Sequence, residues 1–201
     1  HLKKENGVAG FLLANGALND SDTLEIRKKL IEKDKVEAII VLPRELFITT
    51  DISVTLWILN QNKKGGKYHD RNLRNREHEI LFMDLRQWRD NLVKGENKKK
   101  VRLDATQIEK AAGIYHTWQC EGTDGKNYEV PELYRSVGID EIESKGWALT
   151  PSKYIEFIDH DLDIDYEKEM ARIQSEMKEI MKQEKKSQQM LEDAFRGIGY
   201  G

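Results

Sequence analysis

The chain has 201 residues, enough for one full domain or for one domain with an appendage. With 38% hydrophobic and 34% charged residues and a mean hydropathy of -0.72, it is polar for a single compact globule and points to a modest core with exposed helices or tails. A net charge of -3 excludes a global basic field for nucleic acid, a lone cysteine (Cys120) excludes an internal disulfide and fits a reducing cytoplasm, and no apolar run approaches the roughly 18 residues of a membrane span.

The first residues, "HLKKENG", read as the end of a helix stopped by Gly7, without the shape of a signal peptide, and suggest a chain that begins partway through a larger protein. "VAGFLLANG" (8–16) is a short apolar run closed by Asn-Gly, consistent with a buried strand. "SDTLEIRKKLIEKDK" predicts a helix. Asp22 and Glu25 have the spacing of a capping box, and Leu24, Ile26, Leu30 and Ile31 form an apolar face. Glu25–Lys29 and Lys28–Glu32 are favourable pairs one turn apart. "VEAIIVLP" follows as a second buried strand, halted by Pro43. Strand, helix and strand in this order imply a βαβ unit with parallel strands and a right-handed crossover.

The loop "RELFITTD" leads to a third strand, "ISVTLWILNQN", and no helix separates it from the second, so it is expected to insert antiparallel. "NKKGGKYHDRNLRNRE" is a turn-rich basic loop, and "HEILFMDL" alternates in part and reads as a fourth strand at an edge. "ATQIEKAAGIYHTWQ" predicts a helix with Ile108, Ala111 or Ala112, and Tyr115 on one side. "IDEIESKG" is a short helix closed by Gly146, and "WALTPSKYI" is extended because Pro151 restricts Thr150.

From Asp165 the period changes. Tyr166, Met170, Ile173, Met177, Ile180, Glu184, Ser187, Leu191 and Ala194 alternate steps of four and three, an a/d heptad seam with polar breaks at Glu184 and Ser187. Asp165 suits the N-cap, and Glu167 and Glu169 suit the first turn. A helix of about 30 residues would extend about 45 Å and needs a partner to bury its seam. The expected organisation is an α/β portion over 1–90, a helical and extended connector over 91–160, and a long helix over 161–201.

Several runs resemble chemical motifs and fall short of them. "GIGYG" (197–201) follows a helix, whereas a phosphate loop needs a strand before it and a helix after it. "DHDLDID" (159–165) has Ile164 where a calcium loop needs glycine and Met170 where it needs glutamate. His116 and Cys120 lie one turn apart without a second pair of metal ligands at suitable spacing. Residues 61–102 carry thirteen basic against six acidic side chains, which reads as a solvated insertion or as contact with a phosphate backbone through Lys63, Lys64 and Lys67. Only Tyr68, Phe82 and Trp88 interleave there, so stacking on single strands is not indicated. The loop 42–52 is the strongest site candidate, because ligands of open α/β sheets bind beyond the carboxyl ends of strands. Phe47 is the apolar residue in that polar loop. It reads either as an anchor packed on the core or as a face for a planar ligand.

The segments "HLKKENGVAGFLLANGALN", "EIRKKLIEKDKVEAIIVLPRELF", "TTDISVTLWILNQNKK", "ILFMDLR" and "IDEIESKGWALTPSKYI" stand in an order that resembles the modification (M) subunits of type I restriction–modification systems. These are N6-adenine DNA methyltransferases that use S-adenosylmethionine, and the resemblance covers about residues 2–155. It implies the second half of a Rossmann-like methyltransferase sheet followed by a helical tail that packs on a specificity (S) subunit. A restriction (R) subunit and DNA would be further partners. The family's glycine-rich cofactor turn and its Asn-Pro-Pro-aromatic tetrapeptide are absent: the prolines are Pro43, Pro131 and Pro151, and none follows an asparagine. The resemblance therefore implies S-adenosylmethionine for the parent protein, no catalytic residue in this chain, and no activity or cofactor binding by this chain alone. It assigns Phe47, with Asn15 and Gly16, to an extruded adenine, whose stacking contributes about 1–3 kcal/mol. It assigns Tyr166, Met170, Ile173, Met177, Ile180 and Leu191 to partner binding. A different class stays open: a non-enzymatic α/β module that dimerises through its last helix.

Overall fold

The structure is a computed structural model that describes residues 2–47, 49–89, 92–94, 99–158, 165–197 and 199. Contacts divide the chain into two units, residues 1–158 and 159–201. A six-stranded sheet organises the first unit. Its strands are β1 (Val8–Ala14), β2 (Val36–Val41), β3 (Val54–Asn60), β6 (Glu79–Asp84), β9 (Glu129–Val130) and β10 (Tyr134–Gly138), in the order β1-β3-β2-β6-β10-β9. Two small hairpins, β4 (Gly66–Tyr68) with β5 (Arg71–Leu73) and β7 (Leu92–Lys94) with β8 (Lys99–Val101), stand apart from it.

β3 pairs antiparallel with both β1 and β2, so β1 and β2 run parallel with β3 between them. This is the expected insertion of a third strand. β2 also pairs parallel with β6, so β1, β2 and β6 all point their carboxyl ends the same way. The expected edge position of the fourth strand is overturned. β6 lies inside the sheet between β2 and β10, and Ile80, Leu81, Phe82 and Met83 are all buried. Its alternation is incomplete because both faces are covered, as in a strand sandwiched between layers.

Those layers form two apolar clusters, one on each face, because successive side chains of a strand point to opposite sides. Ile39, Trp57, Ile80, Phe82 and Val137 pack with Leu18, Ile31, Ile142, Leu149 and Tyr154. Ala38, Ile40, Leu81 and Met83 pack with Leu85 and Trp118. Helix α1 (Leu24–Glu32) and the short helix α3 (Ile139–Ser144) contribute to the first cluster, and α2 (Ala105–Gln119) to the second. Helix α2 spans the expected residues. Asp104 and Gln107 exchange side-chain and backbone hydrogen bonds in a capping box, at 2.8 and 3.1 Å. Ile108, assigned to its apolar face, is exposed, while Ile114 and Tyr115 pack against the sheet.

Helix α1 departs from expectation at its start. Residues Ser21–Thr23 form a 3-10 turn, and no side chain caps the helix. Arg27 takes the Thr23 hydroxyl and the Asp20 and Ala17 carbonyls instead, and it is buried where the apolar face was drawn, while Ile26 is exposed. Burial lowers the Arg27 pKa, against the attraction of Asp20. The stretch after Thr150 forms a 3-10 turn at Pro151–Lys153, with Pro151 in its first turn.

The second unit contains helix α4 (Tyr166–Gly197), whose 32 residues extend about 48 Å at 1.5 Å each. The Lys168 amide donates to Asp165 Oδ1 at 3.3 Å, the N-cap contact expected of Asp165. The motif-like runs at 159–165 and 197–201 lie largely outside the described residues.

Candidate functional site

The carboxyl ends of β1, β2 and β6 form one rim of the sheet, built from residues 15–23, 42–53 and 85–89. The structure brings two of the sequence-assigned segments together there. Thr55 lies opposite Leu13 of β1 and Val41 of β2. Its buried hydroxyl donates to Asn15 Oδ1 at 2.6 Å, which fixes the turn after β1 beside the base of the loop after β2. Gly16 opens that turn, and its carbonyl accepts from the Asn19 and Asp20 amides at 3.0 and 2.9 Å. A Cβ on Gly16 would meet the Asp20 carboxylate at 2.5 Å, so the space beside this glycine is filled by the chain itself.

Phe47 is half-buried in the loop after β2 and bridges to Thr50. The loop is closed at its base by the Leu42 amide on the Val54 carbonyl at 2.9 Å and by the Ser53 hydroxyl on the Leu42 carbonyl at 2.6 Å. Further contacts reach it from distant sequence. Lys100 Nζ donates to the Phe47 carbonyl at 3.0 Å and to Asp51 Oδ1 at 2.8 Å. Arg89 pairs with Glu45 at 2.7 Å, and the Val101 amide donates to the Glu45 carbonyl at 3.1 Å. Beside the loop, Arg86 clasps Asp84, whose hydrogen bonds raise the Arg86 pKa against the cost of burial. The rim carries the half-buried Phe47 and the exposed Asn15, while the Thr55 and Ser53 hydroxyls are engaged within the chain.

Thr55 and Lys100 were not singled out by sequence. Thr55 looks like a β-branched residue of an apolar strand, and Lys100 like one of a run of three lysines. Their partners lie 40 to 53 residues away.

The basic segment divides. Lys64 and Lys67 are exposed, but Lys63 is only 2% exposed, which corrects its assignment to a phosphate backbone. Its ammonium donates to Asp34 Oδ1 at 2.6 Å, the Val36 carbonyl at 3.0 Å and the Glu79 carbonyl at 2.6 Å. Those acceptors use all three of its protons and tie together the amino ends of β2 and β6. Burial lowers its pKa, opposed by Asp34.

Nearby, Glu37 and Arg76 are both fully buried and pair at 3.0 Å. Gln119 Nε2 at 3.0 Å and Asn60 Nδ2 donate to the same carboxylate. Burial raises the Tyr115 pKa, and the charge of Glu37 adds to the rise. A cavity of about 230 Å³ opens beside this network, among Asn60, Lys67, Tyr68, Arg71, Tyr115 and Gln119. No group of three or more metal-ligating side chains occurs among the described residues, and no described helix is long and apolar enough to cross a membrane.

On α4, the seam residues Tyr166, Met170, Ile173, Met177, Ile180 and Leu191 are all exposed, as are Met181, Met190 and Phe195.

Comparison with known proteins places this arrangement. The chain is 31% identical to the type I restriction enzyme HindI methylase subunit of Haemophilus influenzae, across 97% of this chain and 41% of that protein. It is 28% identical to the MjaIX methylase subunit of Methanocaldococcus jannaschii, across 97% and 33%. It thus spans about two-fifths and one-third of the lengths of these relatives. Its fold is similar to the crystal structure of the type I restriction-modification system methyltransferase subunit from Streptococcus thermophilus. There the TM-score is 0.58 and the identity 24%, over 79% of this chain and 28% of that one. Residues 1–163 match the N-6 DNA methylase family, so the sheet with its inserted third strand, its rim and the helices that cover it belong to a member of that family.

Proposed function

We propose that this chain is the carboxyl-terminal portion of the methylase subunit of a type I restriction–modification system, whose whole transfers a methyl group from S-adenosylmethionine to adenine N6 in DNA. The observation that carries this reading is the state of β1. Among the described residues it pairs with β3 alone, and its Val8, Leu12 and Leu13 are exposed. A sheet with a bare apolar edge strand is a template for further strands, and natural proteins seldom leave one uncovered. The relatives are more than twice as long as this chain, which leaves ample polypeptide to complete the sheet.

Within that whole, this portion forms one wall of the cleft at the rim. Phe47 stacks on the extruded adenine, and Asn15, held by Thr55, lines the cleft beside it. Gly16 serves the turn that presents Asn15. The chain carries no glycine-rich turn of the kind that cradles the methyl donor in this family. S-adenosylmethionine then belongs to the rest of the subunit, and this chain alone is inactive. The exposed seam of α4 docks the specificity subunit, and the restriction subunit is a further member of the full complex.

Assembly tests this reading. The chain is expected to co-purify with its cognate specificity subunit, and Ile173→Asp on the seam should abolish that association while leaving the first unit's thermal unfolding unchanged. A helical homodimer indifferent to the specificity subunit would favour the rival reading of a non-enzymatic dimerising module. Titration of the isolated chain with S-adenosylmethionine should release no heat, and micromolar binding would overturn the division of labour proposed here.

A further inference from the structure

We propose that Lys100 is a positioning residue, whose ammonium ties the two arms of the 42–53 loop together and sets where Phe47 stands at the rim. This rests on the reading of Phe47 as the stacking face. The geometry is specific to the loop. Lys100 lies in β8, 53 residues after Phe47 and 49 after Asp51, yet its Nζ bonds the backbone carbonyl of the first and the carboxylate of the second. Phe47 and Thr50 already face each other across a bridge, so Lys100 closes the loop at the residue that carries the ring.

The neighbouring contacts support the same function. The Val101 amide and Arg89 hold Glu45, two residues before Phe47. Three points of the loop, at 45, 47 and 51, are therefore fixed from residues 89–101. Lys100 makes the one contact at Phe47 itself among these. Its side chain is 22% exposed and Asp51 is 40% exposed, so the pair is partly shielded from solvent. A cation so engaged has two of its three protons directed into the protein.

The experiment uses the complete methylase subunit assembled with its specificity subunit, and a duplex carrying the system's recognition sequence with 2-aminopurine at the target adenine. Three measurements are made on each variant: fluorescence on base extrusion, kcat against KM for methylation, and DNA affinity over a range of salt. Phe47→Ala is expected to lower extrusion about 5- to 150-fold, the range that loss of one stacked base allows. Lys100→Met keeps the alkyl stem and loses the donors. It should lower extrusion and kcat about 10-fold through misplacement of the ring, with the salt slope unchanged. Lys100→Arg should restore most of the loss, and Asp51→Asn should give a smaller loss of the same kind.

If Phe47→Ala leaves extrusion intact, the stacking reading fails and this proposal fails with it. If Phe47→Ala is impaired but Lys100→Met and Asp51→Asn both behave as wild type, Lys100 is no positioning residue while the role of Phe47 stands. If Lys100→Met instead lowers the salt slope by about 1, Lys100 contacts a phosphate and the proposal is overturned.

Discussion

The two ends of strand β2 handle charge in opposite ways. At its amino end, Glu37 is fully buried among Arg76, Gln119 and Asn60, and Lys63 is buried against Asp34 and two carbonyls. At its carboxyl end, Glu45 and Asp51 meet Arg89 and Lys100 with every partner partly open to solvent. A carboxylate in a low dielectric must have its lone pairs satisfied, and the donors that satisfy it are then locked in place. Pairs at the surface hold a loop more weakly and are screened by salt. One end thus fixes the sheet through buried contacts, while the other holds its loop through contacts that solvent and salt can reach. The rim belongs at that second end.

Three perturbations probe this contrast. The largest effect is expected at the buried carboxylate. Glu37→Ala leaves the Arg76 guanidinium without its charge partner and should cost about 3–5 kcal/mol in denaturant unfolding. Replacing Glu37 and Arg76 together by apolar residues of similar volume should recover much of that loss. If Glu37→Ala unfolds like wild type, the amino end is not the rigid one. Next comes Lys63→Met, which removes three hydrogen bonds at the start of β2 and β6 and should cost about 1–3 kcal/mol. A surface phosphate contact would cost nothing in the free protein, so this variant separates the two roles of Lys63 by stability alone. The smallest effect is expected from salt. Raising sodium chloride from 50 mM to 1 M should speed amide exchange in the 42–53 loop by a few-fold, since the screening length falls to about 3 Å. Exchange at Val36–Val41 should not change. Equal responses at both ends would erase the distinction.

Local pattern made much of this fold legible. The strands β1, β2 and β3, the bounds of α2 and the long helix after Asp165 all follow from side-chain spacing, although β1, expected to be buried, lies at the sheet edge with Val8, Leu12 and Leu13 exposed. Even the antiparallel run of β3 was foreseeable, because no helix separates it from β2 and a parallel neighbour would need a crossover. The misjudged elements share a cause. β6 looked like an edge strand from its partial alternation, but β10 pairs along its far side and α2 with Trp118 covers one face. Lys63 looked solvated because lysine usually is, and three acceptors from other elements draw it inside. Asp22 and Glu25 had capping-box spacing, but Arg27 claims the turn before the helix.

The candidate site divides along the same line. Phe47 stood out as an apolar residue in a polar loop at a strand's carboxyl end, and Asn15 and Gly16 as the turn that closes β1. The residues that hold them, Thr55 and Lys100, carried no local signal. A hydroxyl in a strand and a lysine among lysines acquire meaning only when the chain brings their partners within hydrogen-bond distance.

What the sequence by itself determined was periodicity: the apolar runs of the main strands, the span of α2, and a long helix after Asp165 that carries a seam of Met, Ile and Leu. These properties are local, set by repeats of about 2 and 3.6 residues along the backbone. The tertiary structure decided which charges are buried, which strand is left at the edge, and which side chains hold the rim loop. Those outcomes depend on contacts between residues tens of positions apart. A charge becomes structural or available according to what surrounds it, and neighbours in sequence do not fix those surroundings.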